Sequence, residues 1–239
     1  MLVIYLPFLT VLVLFHYIVY RIAGLMFDEF NSDQTRYISS LYQEHLRKKI
    51  VVSSYKKLYI TKNIWKSAML ALILAGTTVP IVEGFLFERW TNVPFLMWGT
   101  LYVALDLSGL IYVRGLPKAT VIHHVVVCIL GSLNAMADYT VRGYYRSILI
   151  YTYFSIVPFI VNFYLGARYL ILEDRARNYL AKVSAWTYTA SLATNIVSQV
   201  LFFATEPFSW TIVFYVSMYA LIMNDDVNLI RFLWSEAQG

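Results

Sequence analysis

The chain has 239 residues, of which 59% are hydrophobic and only 14% charged, with a net charge of +5. A soluble domain carries nearer a quarter of charged residues, so the composition excludes a soluble catalytic domain and indicates a multi-pass membrane protein. Its single cysteine, Cys128, excludes a disulfide framework and any Cys-based zinc or iron–sulfur centre. The positive balance has no nucleic-acid motif beside it, so it reads as basic loops lying against anionic lipid rather than as a nucleic-acid surface.

In chain order, the first predicted element is a span over 1–20. It lacks the charged leading segment and small-residue cleavage site of a signal peptide, and it is long enough to cross a bilayer and stay there. Residues 21–64 are polar and Tyr-rich, and are read as a cytoplasmic segment, partly amphipathic helix on the membrane surface. Six further spans are expected at 65–87, 94–113, 117–136, 146–167, 183–204 and 209–233, within a membrane domain over 65–235. The turn "VRGLP" forces the third and fourth spans to be antiparallel neighbours, with Pro117 suited to a helix start. Trp65, Trp90, Trp98, Trp210 and Trp234 fall near span ends, where interfacial tryptophans belong. The expected fold is therefore all-α, with seven transmembrane helices.

Charge sets the expected orientation. The first loop carries nine Lys/Arg (Arg21, Arg36, Arg47, Lys48, Lys49, Lys56, Lys57, Lys62 and Lys66). With Arg114, Lys118, Arg168, Arg175, Arg177, Lys182 and Arg231, one side holds sixteen cations; the other holds three, Arg89, Arg142 and Arg146. This split places the N-terminus outside or in the lumen and the C-terminus in the cytoplasm.

Ionisable side chains inside a bilayer are costly and mark functional sites by default. At ~1.5 Å per residue, His123 and His124 lie ~9–10 Å below the Pro117 end of their helix. By the same rule Asp106 lies ~12 Å deep, Asn162 ~9 Å, and Asp225 and Asp226 ~8–9 Å, with Asn224 and Asn228 beside them. Four helices therefore place polar groups in one layer of the cytoplasmic half. Glu83, Asn195 and Gln199 fall toward the opposite face.

Several chemistries fit such a layer. Neutral imidazoles can act as interhelical glue, and Asp225 and Asp226 can face water if their helix ends early. A His/Asp/Asp zinc site needs ligands from several helices, because adjacent helical residues point ~100° apart. With only four histidines, two of them (His16 and His45) elsewhere, the many-histidine di-iron site of membrane desaturases is not available. A histidine oriented by a carboxylate can serve as base, or attack a thioester, while its neighbour supplies acid or binds the oxyanion. There is no G-x-S-x-G elbow of a serine hydrolase, no lysine in the last span to anchor retinal, and no Asp-Arg-Tyr box of a receptor.

Three segments resemble the TLC domain (TRAM/Lag1/CLN8) family: "YVALDLSGLIYVRGLPKATVIHHVVVCIL", "YFSIVPFIVNFYL" and the closing "NLIRFLW". The likeness covers roughly residues 46–235 and is closer to the TLCD and CLN8-like branch than to ceramide synthases. It implies a six-helix barrel open to the cytoplasm after one N-terminal helix, in the endoplasmic reticulum. It implies catalytic roles for His123, His124 and Asp106, and a substrate-binding set of Asn162, Asn224, Asp225, Asp226 and Asn228, with no metal. It implies acyl-CoA as co-substrate, no permanently bound cofactor, a membrane lipid or fatty-acyl partner, and assembly as a homo-oligomer or larger membrane complex. The chain departs from ceramide synthases in having no paired aspartates on the following helix. It departs from the TLCD-like branch in having Tyr153 and Phe154 where an acid precedes Ser–Pro–Phe. Two function classes follow: an acyltransferase of lipid homeostasis, acting on a lipid amine or alcohol, and a non-catalytic lipid-binding or sensing protein or accessory subunit.

Overall fold

A computed structural model describes residues 2–39, 54–113, 115–171 and 173–238, with side chains over 5–25 and from 57 onward within those ranges. The described residues form eight helices and no strand: α1 (Leu2–Ser39), α2 (Ser54–Phe87), α3 (Asn92–Tyr112), α4 (Lys118–Asn134), α5 (Tyr144–Ile156), α6 (Phe159–Ala167), α7 (Asp174–Thr205) and α8 (Trp210–Gln238). The all-α expectation is met. Much of the polar segment 21–64 belongs to α1, which runs on to Ser39, and to α2, which starts at Ser54. The loop cations Arg47, Lys48, Lys49 and Arg114, and His45, lie outside the described residues.

By length and apolarity, three helical stretches among the described residues can cross a membrane: Tyr5–Leu25, Lys57–Phe87 and Asn92–Tyr112. A fourth is added if α5 and α6 count as one span, while α4 is a shorter apolar helix. The remaining expected spans, in α7 and α8, carry too many polar residues to qualify on that measure. The reason is visible in their packing. In α7, Ser184, Ser191, Asn195 and Gln199 are all turned inward and buried, and in α8 Asp226 is. Apolar side chains such as Trp186, Val197, Val200, Leu201, Phe214 and Leu221 take the outside. This outward apolar face is compatible with a lipid surround.

The expected continuous span over 146–167 is broken. Pro158 has no N–H to give to the carbonyl four residues back, and α5 and α6 meet at a 40° bend there. The freed carbonyl of Phe154 accepts a hydrogen bond from Ser191 Oγ on α7, and the Phe159 carbonyl accepts one from Ser67 Oγ on α2, at 2.9 Å. Neighbouring hydroxyls thus satisfy backbone groups that lipid could not.

Three of the connections between helices are stitched together at one end. Arg146 Nη1 lies 3.0 Å from Glu88 Oε2, Arg142 Nε lies 2.8 Å from Glu206 Oε1, and Asn92 Nδ2 donates to Asp138 Oδ1 at 3.0 Å. At the opposite end Gly115, with φ 73°, takes the left-handed conformation that lets α4 turn back directly after α3. α1 packs against α3 and α2, and its start reaches α4. Tyr5 Oη and Ser132 Oγ share a hydrogen bond at 3.2 Å, and Tyr20 Oη and Ser108 Oγ share one at 3.3 Å. Trp65 is not at a helix end: it sits within α2 and donates its indole N–H to His16 Nδ1 at 3.0 Å. Between these elements Leu70, Ile73, Leu105, Val126, Ile148 and Ile222 form the central apolar core.

Candidate functional site

Below this core, at the end marked by the α3–α4 turn, the helices part around a cavity of about 360 Å³. Its wall includes His123, His124, Asn162, Asp225, Asp226 and Asn228, so most of the expected polar layer converges on one space. Two of the expected site residues do not line it. Asn224 is exposed and outside the wall, because α8 turns Asp225 and Asp226 inward and leaves Asn224 on another side. Asp106 sits behind the wall, fully buried, with its carboxylate against His124.

The two histidines serve different neighbours. Their rings meet edge-on, with centroids 5.4 Å apart and planes at 79°, as expected of adjacent positions on one helix. His124 points toward α3, its Nδ1 3.2 Å from Asp106 Oδ1. His123 points toward α8, its Nδ1 3.4 Å from Asp225 Oδ2 and 3.6 Å from Asp226 Oδ1. These are close electrostatic approaches rather than well-aligned hydrogen bonds: both Nδ1 atoms and Asp106 Oδ2 are buried without a hydrogen-bond partner.

The carboxylates are anchored by other residues. Asp226 accepts from Tyr188 Oη at 2.7 Å and from Tyr151 Oη at 3.2 Å; Asp225 accepts from Thr120 Oγ1 at 3.1 Å. Asp106 is paired with the ammonium of Lys66. Asp225 and Asp226 are therefore not beyond the end of their helix facing water; both belong to the cavity.

Sequence reasoning placed Lys62 and Lys66 among loop cations. Both are buried on α2 and line the cavity, as does Arg168 at the end of α6. A signal for them exists. Tyr59, Lys62, Asn63 and Lys66 recur at helical spacing, which puts one polar stripe on one face of an otherwise apolar helix. Tyr151 and Tyr188 carried no such signal, since tyrosine is abundant throughout this chain.

No family model, curated protein or solved structure matches this chain. The site's own chemistry is what bears on function. Among the described residues, no group of three or more His, Cys, Asp or Glu side chains is arranged to hold a metal ion. What the site offers is two imidazoles, each facing a carboxylate, at one wall of a cavity that also holds Lys62, Lys66 and Arg168. Such an arrangement can move a proton or carry an acyl group.

Proposed function

We propose that this chain is a seven-span membrane protein of lipid homeostasis. Its six-helix, TLC-like barrel opens to the cytoplasm and transfers an acyl group from acyl-CoA to a lipid amine or alcohol. The observation that carries this reading is the pair of imidazole–carboxylate contacts, His124–Asp106 and His123–Asp225/Asp226, on one cavity wall. The sixteen-to-three split of cations supports a cytoplasmic mouth, and residence in the endoplasmic reticulum accords with lipid synthesis.

In this mechanism Asp106 favours the His124 tautomer with its proton on Nδ1, which leaves Nε2 free to attack the thioester carbonyl. The carbon–sulfur bond breaks, coenzyme A leaves as thiolate, and the acyl group rests on the imidazole. The acceptor's amine or hydroxyl then attacks that acyl group. His123, poised by Asp225 and Asp226, takes the acceptor's proton and passes it to the thiolate. The products are the acylated lipid and free coenzyme A, and both imidazoles return to their starting state. The adjoining apolar side chains, Val126 and Val127 in the core and Leu70 on the cavity wall, help keep water from the intermediate.

A second reading, a lipid-binding or accessory subunit without catalysis, is favoured by Tyr153 and Phe154 standing in place of an acid. Purified protein incubated with a labelled long-chain acyl-CoA separates the two. A mass increase of one acyl group on the wild type, lost in His124→Ala, is the expected result. No adduct, together with unchanged cellular lipids in the His123→Ala/His124→Ala form, leaves the non-catalytic reading.

A further inference from the structure

Charge around Asp106 does not balance. Two ammonium groups, Lys62 and Lys66, are buried near this one carboxylate. Lys66 takes it as an ion pair. Lys62 is 4% exposed, lies on the cavity wall, and has no carboxylate within ion-pair distance among the described residues. An uncompensated buried ammonium is costly and calls for a partner.

The backbone makes room for this unpaired group. The end of the Lys62 side chain lies against Gly109 of α3, where an added Cβ would fall 2.8 Å from Cε and 2.9 Å from Nζ. A second cation faces the same space. Arg168 lines the cavity, held over the Phe232 ring at 4.7 Å; its Nη1 is 3.9 Å from Glu236 Oε2 and its Nη2 donates to Tyr169 Oη at 3.0 Å, while its Nε is buried and without a hydrogen-bond partner. The two cations are brought to one end by close packing of α6 on α2, where Gly166 abuts the Ile60 carbonyl and Ile64.

From this we infer that Lys62 and Arg168 form an oxyanion-binding subsite of the cavity, which holds the phosphate or carboxylate headgroup of an amphiphile beside His124. The inference rests on the reading of the cavity as a lipid site and adds the charge class of its ligand. Charge-assisted hydrogen bonds from an ammonium and a guanidinium suit such an oxyanion. The ligand's charge then offsets the Lys62 ammonium, which Asp106, already paired with Lys66, leaves without a carboxylate at ion-pair distance among the described residues.

Binding to the purified full chain in a neutral detergent tests this, with hexadecyl phosphate, hexadecanol and coenzyme A as probes. Hexadecyl phosphate should bind at least about tenfold more tightly than hexadecanol, and Lys62→Gln should erase that difference. Lys62→Arg should retain it. Gly109→Ala, which removes no charge but crowds the Lys62 ammonium, should weaken hexadecyl phosphate several-fold and leave hexadecanol unchanged. A Lys62-dependent signal from hexadecyl phosphate alone assigns the anion to a lipid headgroup, and one from coenzyme A alone assigns it to an acyl donor; both uphold the subsite. Equal affinity for hexadecyl phosphate and hexadecanol, with no Lys62-dependent binding of coenzyme A, would overturn the subsite while sparing the lipid reading. Binding of none of the three probes would remove both.

Discussion

Asp106 shows how much one side chain carries. It has no exposure, pairs with Lys66 and sits 3.2 Å from His124, so its removal and its partner's removal have different consequences. Lys66→Met leaves a buried carboxylate uncompensated and should destabilise the protein by about 3–5 kcal/mol. The double variant Lys66→Met/Asp106→Leu removes both charges and should recover most of that loss. Thermal unfolding in detergent reports both, and an equal loss in the single and double variants would show that the pair is not the source. The double variant should nonetheless fail in acyl-adduct formation, because His124 then has no carboxylate to set its tautomer.

At the scale of the element, the α5–α6 bend and the α3–α4 turn set the shape of the cavity. Pro158 lines it, and the backbone gap that Pro158 creates is closed by Ser191 from α7. Ser191→Ala should cost about 1–3 kcal/mol, since a buried carbonyl loses its donor where no water replaces it. Ser191→Thr should keep most of it, and chemical unfolding of the two variants checks the contrast. At the turn, Gly115→Ala forces a side chain into the left-handed region and should cost about 1 kcal/mol. If Gly115→Ala proves neutral, the link between α3 and α4 has another conformation open to it.

The whole molecule is held at the end away from the cavity by its three stitched loops. Asn92 there bonds both Asp138 and the Tyr139 N–H, the latter at 2.8 Å. Hydrogen bonds from the Thr140 hydroxyl first, then from Asn92 and the Thr140 amide, hold the Asp138 carboxyl below its ordinary value of 3.8. A carboxyl lowered on folding stabilises the fold above its unfolded value, and that contribution fades as pH falls through the folded one. The melting temperature should therefore drop more steeply below about pH 4 for the wild type than for Asp138→Asn. Parallel melting curves for the two would show that this loop does not contribute.

Composition and pattern were enough for much of this protein. The helical class follows from long apolar runs, because a chain in lipid must satisfy its backbone internally. The common depth of His123, His124, Asn162, Asp225 and Asp226 follows from a fixed rise per residue, counted from Pro117, Arg168 and Arg231. Packing alone decided what those residues face. It set His124 on Asp106 and His123 on the Asp225/Asp226 pair, turned Asn224 away, and drew Lys62 and Lys66 out of the supposed loop into the wall. The physical reason is that depth along a helix is a local property, whereas the direction a side chain takes around the axis is settled by the neighbouring helices. The merit of burying a charge depends likewise on a partner supplied from elsewhere in the chain: Asp106 for Lys66, forty residues away, and for Lys62 none among the described residues.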